Sequence, residues 1–146
     1  MFERVLLAVD GSEHSERAIP VAAELAKKFG SEVLVLNVRE LVLMRADPEL
    51  VLMRSNPMGK GTAEESLSLP EQVTERLVKD GINAHGKSVD AVQTGAAKQI
   101  LEEAREFGAN HIVLGTRGHS ELTGLLLGSV AIKVLHHSDC PVTVVR

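Results

Sequence analysis

Two rhythms of apolar and polar positions alternate along this chain. Four short runs are apolar almost throughout: Val5–Val9, Val33–Val38, His111–Leu114 and Val142–Val145. Near-continuous apolar runs of this length are the pattern of strands covered on both faces of a parallel sheet. A fifth run, Asn83–Val89, is more polar, as an edge strand is. Between these runs the apolar positions recur every three or four residues, the helical period. Ala18, Val21, Ala22, Leu25, Ala26 and Phe29 make one stripe, opened by Ser12 or Ser15 as cap and closed by Gly30. Pro20 inside it predicts a kink or a late start. Val73, Leu77 and Val78 make a second stripe that ends at Gly81. Pro70 suits its first turn, and Ser68 with Glu71 forms a capping box. Ala97, Ile100, Leu101, Ala104 and Phe107 make a third, with Thr94 as expected N-cap and Gly108 as stop. A last helix is expected from Ser129 to His136.

Strands and helices therefore alternate, apart from one long segment after the second strand. Alternation of this kind predicts an α/β fold: a doubly wound, five-stranded parallel sheet sandwiched by helices. Ligands of such sheets bind at the carboxyl ends of the strands, where the winding reverses. The interrupting segment carries a tandem repeat, ELVLMRADP over 40–48 and ELVLMRSNP over 49–57. Nine residues are too few for a solenoid unit. A connection this long is either a flap or subunit contact, or a duplicated surface insertion.

Composition narrows the function classes. The chain has 146 residues, the size of one domain over 1–146, with 40–69 as a variable insertion. A net charge of -4 and three Phe with no Trp or Tyr give neither the basic surface nor the stacking rings of a nucleic-acid binder. No apolar run approaches the ~20 residues of a membrane span, and no signal peptide is visible. The lone Cys140 excludes an internal disulfide and fits a reducing cytoplasm. Cys140 is either a reactive thiol or a small buried apolar residue.

Candidate chemistry gathers in two places. Gly115-Thr116-Arg117-Gly118 follows the fourth strand, and after nine further residues Gly128-Ser129 opens the last helix. Glycines let backbone approach a ligand closely, and a helix N-terminus presents unpaired N–H groups and partial positive charge to an anion. Ser129 adds a hydroxyl, and Arg117 and His119 add cationic character. These features describe a phosphate cradle, or else an ordinary strand end and helix cap. Asp10, in Val9-Asp10-Gly11-Ser12 after the first strand, faces the same crevice if strands one and four are neighbours. Its carboxylate there accepts ribose hydroxyls or holds a metal, or it simply forms an Asx turn opening the first helix.

Val9-Asp10-Gly11-Ser12, Asn37-Val38, the G-2x-G-9x-G-S pattern and the closing Cys140-Pro141-Val142-Thr143-Val144-Val145 together resemble the universal stress protein family, and its ATP-binding branch in particular. The resemblance covers the chain outside 40–69. It implies a Rossmann-like fold of the adenine nucleotide alpha hydrolase type with strand order 3-2-1-4-5. It also implies ATP or another adenine nucleotide as ligand, with Mg²⁺ or Mn²⁺ on the phosphates and Asp10 as a possible protein contact. By position, Ala8, Val9 and Asp10 border the adenosine end, Val38 the adenine, and Leu114 and Gly115 the ribose. Thr116, Arg117, Gly118, His119, Ser120 and Glu121 wrap the phosphates, and Gly128, Ser129, Val130 and Ala131 bind them from the helix start. A homodimer through the last strand, 142–146, is implied as well.

Dedicated phosphoryl-transfer machinery is not apparent. The sequence has no G-x-x-x-x-G-K-[ST] loop, and no motif places a base to orient an attacking water. His136 and His137 suit a helix C-terminus, and His14, His85 and His111 have no metal-ligand spacing. Binding with slow or no hydrolysis is expected. The alternatives are an interaction module of the same fold that binds no nucleotide, and a phosphoacceptor receiver. The receiver needs an acidic pair beside Asp10, which is missing, and an Asp after the third strand, where Asp90 stands.

Overall fold

Alternation within each apolar run decides which side chains reach which face of the sheet. The computed structural model describes residues 1–41, 67–117 and 127–146. Five strands form: β1 Arg4–Ala8, β2 Glu32–Leu41, β3 Asn83–Val92, β4 His111–Gly115 and β5 Val142–Val145. All pairings are parallel, in the order β3-β2-β1-β4-β5. The expected fold class and strand order are observed. The polar third strand is indeed an edge, and β5 is the other.

The described helices are α1 Glu13–Phe29, α2 Leu69–Lys79, α3 Ala96–Phe107 and α4 Ser129–His137. Val5, Leu7, Val33, Val35 and Val113 point to one face, where they meet Ala18, Ile19, Ala22 and Ala26 of α1 and Val73 and Leu77 of α2. Leu6, Leu34, Leu36, Ile112 and Leu114 point to the other, against Ala97, Ile100 and Ala104 of α3 and Ala131 and Val134 of α4. Two aliphatic layers thus bury the sheet on both sides. No described helix is long and apolar enough to cross a membrane.

Several local expectations need correction. Pro20 does not delay α1, which already starts at Glu13 because Ser12 Oγ accepts from Ser15 N (3.2 Å) and nucleates the first turn. The inward stripe of α1 includes Ile19, whereas Phe29 is half exposed and stacks on Phe2 at 4.6 Å. Val78 faces solvent, so α2 packs through Pro70, Val73 and Leu77. Glu71 does reach back to Ser68 N (2.8 Å), as a capping box requires, and its hydrogen bonds to Ser68 lower its pKa. Thr94 is not the N-cap of α3. That position is Gly95, at φ 78°, and Thr94 Oγ1 instead accepts from Gln99 Nε2 (3.3 Å). Asp90 lies inside β3 rather than after it and pairs with Arg39 across the strands (2.7 Å). A strand-bound, ion-paired Asp90 removes the receiver's acceptor position. Cys140 is half-buried, packed beside the α3–α4 layer. The repeat lies almost wholly outside the described residues.

His111 opens β4 as a polar group in an apolar setting. It is buried, its Nε2 is 2.8 Å from Thr143 Oγ1, and its ring lies 4.8 Å from Phe2. Its Nδ1 is buried with no hydrogen-bond partner among the described residues. Burial lowers its pKa below the usual 6.5. The unfolded chain therefore binds a proton near pH 6.5 that the folded chain refuses until lower pH, so stability falls as pH drops through that window. Unfolding free energy measured by urea titration should be flat above pH 7. It should decline as pH falls below about 6.5, by at most ~1.4 kcal/mol per pH unit for one proton. His111→Gln should remove that slope.

Candidate functional site

The carboxyl ends of β1 and β4 are tied into one rim. Beyond β1, Asp10 Oδ1 accepts from Ser12 N (2.9 Å), an Asx turn that requires the positive φ of Gly11 (79°). Asp10 N donates to Ser15 Oγ (3.1 Å), and Ser12 Oγ donates to the carbonyl of Arg117 (3.3 Å). The Asx-turn reading of Asp10 is therefore correct, and the same residue still borders the crevice. Asn37, in β2 just beyond its last pairing with β1, donates from Nδ2 to the Val9 carbonyl (2.8 Å), which fixes the turn after β1.

Thr116 anchors the other half. Its N–H donates to the Val145 carbonyl (2.8 Å), its carbonyl accepts from Gly128 N (2.7 Å), and its Oγ1 lies 3.1 Å from His14 Nδ1. The two glycine-marked segments thus meet through backbone. A Cβ on Gly128 would lie 3.0 Å from the Thr116 carbonyl oxygen. A Cβ on Gly115 would lie 2.7 Å from the His14 carbonyl carbon and 2.8 Å from Ser15 N. Gly115 is thus a glycine because α1 presses on it from behind. Its small size, expected to serve a ligand, is accounted for by the helix instead.

Above this rim lies a cavity of about 420 Å³, within the range of small-molecule sites. Every expected site residue among the described ones borders it. Ala8, Val9 and Asp10 come from β1 and its turn, Val38 from β2, and Leu114, Gly115, Thr116 and Arg117 from β4 and its turn. Gly128, Ser129, Val130 and Ala131 come from the start of α4. Gly118, His119, Ser120 and Glu121 lie outside the described residues. Sequence reasoning missed Ser15, Leu36, Glu40, Ala96 and Ile100, which also border the cavity. Leu36 and Ile100 were legible only as core. Glu40 was hidden because β2 was expected to stop at Val38. It runs on to Leu41, paired residue for residue with β3 as far as Leu41↔Val92, whereas its pairing with β1 ends at Ala8↔Leu36. A two-stranded arm therefore rises past the sheet edge and walls one side of the cavity.

The helix N-termini have different electrostatics. Ser12 caps α1, whose first turn holds Glu13 and Glu16, and Glu71 serves α2. The start of α3 is closed by Glu40, whose Oε1 accepts from Ala96 N (2.9 Å). Among the described residues, the α4 start has neither a side-chain cap nor an acidic residue in its first turn. Among the described helices it alone keeps the full positive end of its dipole, and it opens on the cavity beside Arg117. The cavity is thus electropositive at the α4 end and carries the Glu40 carboxylate at the other.

This geometry has known counterparts. A family model described as the universal stress protein family matches residues 1–146. The chain belongs to the universal stress protein family. Universal stress protein YxiE of Bacillus subtilis (strain 168) is 34% identical, with all of both chains covered. Among solved structures, the hypothetical protein MJ0577 superposes with a TM-score of 0.81 at 25% identity, covering 99% of this chain and 96% of that one. The universal stress protein from Archaeoglobus fulgidus in complex with dAMP superposes at 0.63 with 24% identity, covering 100% and 98%. At that identity the last likeness concerns the fold alone.

No cluster of three or more His, Cys, Asp or Glu suited to a metal occurs among the described residues. The cavity's carboxylates, Asp10 and Glu40, already accept from Ser12 N and Ala96 N. Of the two, Asp10 lies on the β1 turn, where it is a protein acceptor within the cavity for a cation carried on a ligand's oxygens.

Proposed function

We propose that this universal stress protein, one domain over 1–146, binds an adenine nucleotide, ATP with Mg²⁺ or Mn²⁺. It acts in the cytoplasm as a nucleotide-dependent binding protein of the stress response. The observation that carries the reading is the α4 N-terminus, without side-chain cap or acidic residue among the described residues, opening on a cavity whose walls include the Gly115–Arg117 turn and the β1 turn. The amides of Ser129, Val130 and Ala131 receive phosphate oxygens there, Arg117 adds positive charge, and Asp10 accepts from the ribose. Gly118, His119, Ser120 and Glu121 complete the phosphate wrap by sequence position. A relative of this fold in complex with dAMP supports an adenine nucleotide as the class of ligand. When present, the cation screens the phosphate charge.

Fast hydrolysis is not part of the proposal. No histidine borders the cavity among the described residues, Asp10 is assigned to the ribose, and Glu40 is held on the β2–β3 arm at the α3 start. Among the described residues, nothing is placed to orient an attacking water. The net charge of -4 argues against nucleic acid as a partner. Homodimerisation through 142–146 is part of the same proposal, supported by β5 being a sheet edge of half-buried valines around Thr143.

Calorimetric titration with ATP, ADP and AMP, with and without Mg²⁺, tests the reading. One nucleotide per chain is expected, with affinity rising with phosphate number and turnover well below one per second. Absence of binding heat for all three would refute it and favour a nucleotide-free interaction module.

A further inference from the structure

We propose that Glu40 reads the exocyclic amine of the bound purine and so sets the base preference of this pocket. The proposal rests on the nucleotide-binding reading above and deepens it. Leu36, Val38 and Glu40 alternate along β2, so all three face the cavity. Leu36 and Val38, with Ala96 and Ile100 of α3, make an apolar slot of the kind a base occupies. Glu40 closes the slot on the projecting β2–β3 arm.

The carboxylate is held rather than loose. Oε1 accepts from Ala96 N at 2.9 Å, where the first amide of α3 points at it. This contact does two things. It neutralises the α3 start, which leaves α4 as the anion-receptive end and orients a nucleotide with phosphates at α4 and base at Glu40. It also holds the carboxylate in place at the cavity wall, with Oε2 left as the oxygen that accepts from a base. A carboxylate accepts and does not donate. A base edge that meets it therefore has to supply an N–H. The amine at position 6 of adenine does so, whereas a carbonyl at that position sets oxygen against oxygen. With Oε1 already engaged, the two-pronged pairing of a carboxylate with guanine is compromised, and a single amine is the better match.

The test compares ATP, ITP, GTP and the triphosphate of purine riboside, which lacks the amine, on the wild-type chain and on Glu40→Gln. In the Glu40→Gln variant the amide oxygen keeps the Ala96 contact while the NH₂ turns a donor toward the base. Wild type should bind ATP at least about tenfold more tightly than each of the other three, the loss expected when one hydrogen bond to a charged group goes unmade. Glu40→Gln should retain the wild-type melting temperature and shift the ATP-to-ITP ratio toward ITP by about tenfold or more. The proposal is overturned if wild type binds purine riboside triphosphate or GTP as tightly as ATP. It is equally overturned if Glu40→Gln leaves the ATP-to-ITP ratio unchanged. The wild-type series alone decides the matter if the variant does not fold. Failure of all four nucleotides to bind wild type would remove the nucleotide reading itself, a result distinct from binding without discrimination.

Discussion

Ser129→Asp is expected to abolish nucleotide binding while leaving the fold at least as stable as wild type. Ser129 is the first residue of α4 and borders the cavity, and no carboxylate lies in that first turn. An aspartate there suits the helix dipole and should stabilise the ligand-free protein by about 0.3–1 kcal/mol. The same charge would stand where the phosphates bind. Like charges brought together in a binding site cost several kcal/mol, so affinity for ATP should fall by at least ~100-fold. Calorimetry and thermal melting on the same preparation separate the two effects. An unchanged affinity would show that α4 does not receive the phosphates. A drop in melting temperature would show that the effect came through the fold.

Gly115→Ala should have the opposite signature: a large loss of stability from a single methyl group. The new Cβ would press on the His14 carbonyl carbon and Ser15 N, both backbone atoms of α1, inside normal contact distance. Backbone cannot step aside as a flexible side chain can, so the sheet and the helix must separate locally. Overpacking of this kind costs about 1–3 kcal/mol, on the order of 5–10 °C in melting temperature for a chain of this length. Gly115→Val should be worse. If Gly115 were small only to admit a ligand, Gly115→Ala would melt like wild type and lose affinity alone. Denaturant titration of the ligand-free protein distinguishes these outcomes.

That contrast shows where the sequence was legible and where it was not. The apolar runs located four strands, β1, β2, β4 and β5, because strands covered on both faces leave a signal in nearly every residue. The polar Asn83 run was correctly an edge. The winding rule then brought Asp10, Gly115 and Ser129 to one rim from strand order alone. The arm beyond Val38 was invisible because its pattern is not hydrophobic. Arg39 and Asp90 face each other across β2 and β3, and their registry exists only once the strands are paired. Glu40 was missed for the same reason: its capping of α3 joins residues 56 positions apart in sequence. Thr94 looked like the cap because local rules cannot see a carboxylate arriving from another strand. For Gly115 the sequence located the residue correctly and misjudged what lies against it, since a helix passing behind a strand end leaves the same glycine as a ligand in front of it.

The most direct measurement is an amide-resolved NMR titration of ¹⁵N-labelled protein with ATP and Mg²⁺. The account predicts that the largest shifts fall on Thr116, Ser129, Val130 and Ala131, residues of the rim, with the outer edge of β3 unmoved. Saturation by ATP with those amides unshifted, and the changes gathered elsewhere on the molecule, would contradict it.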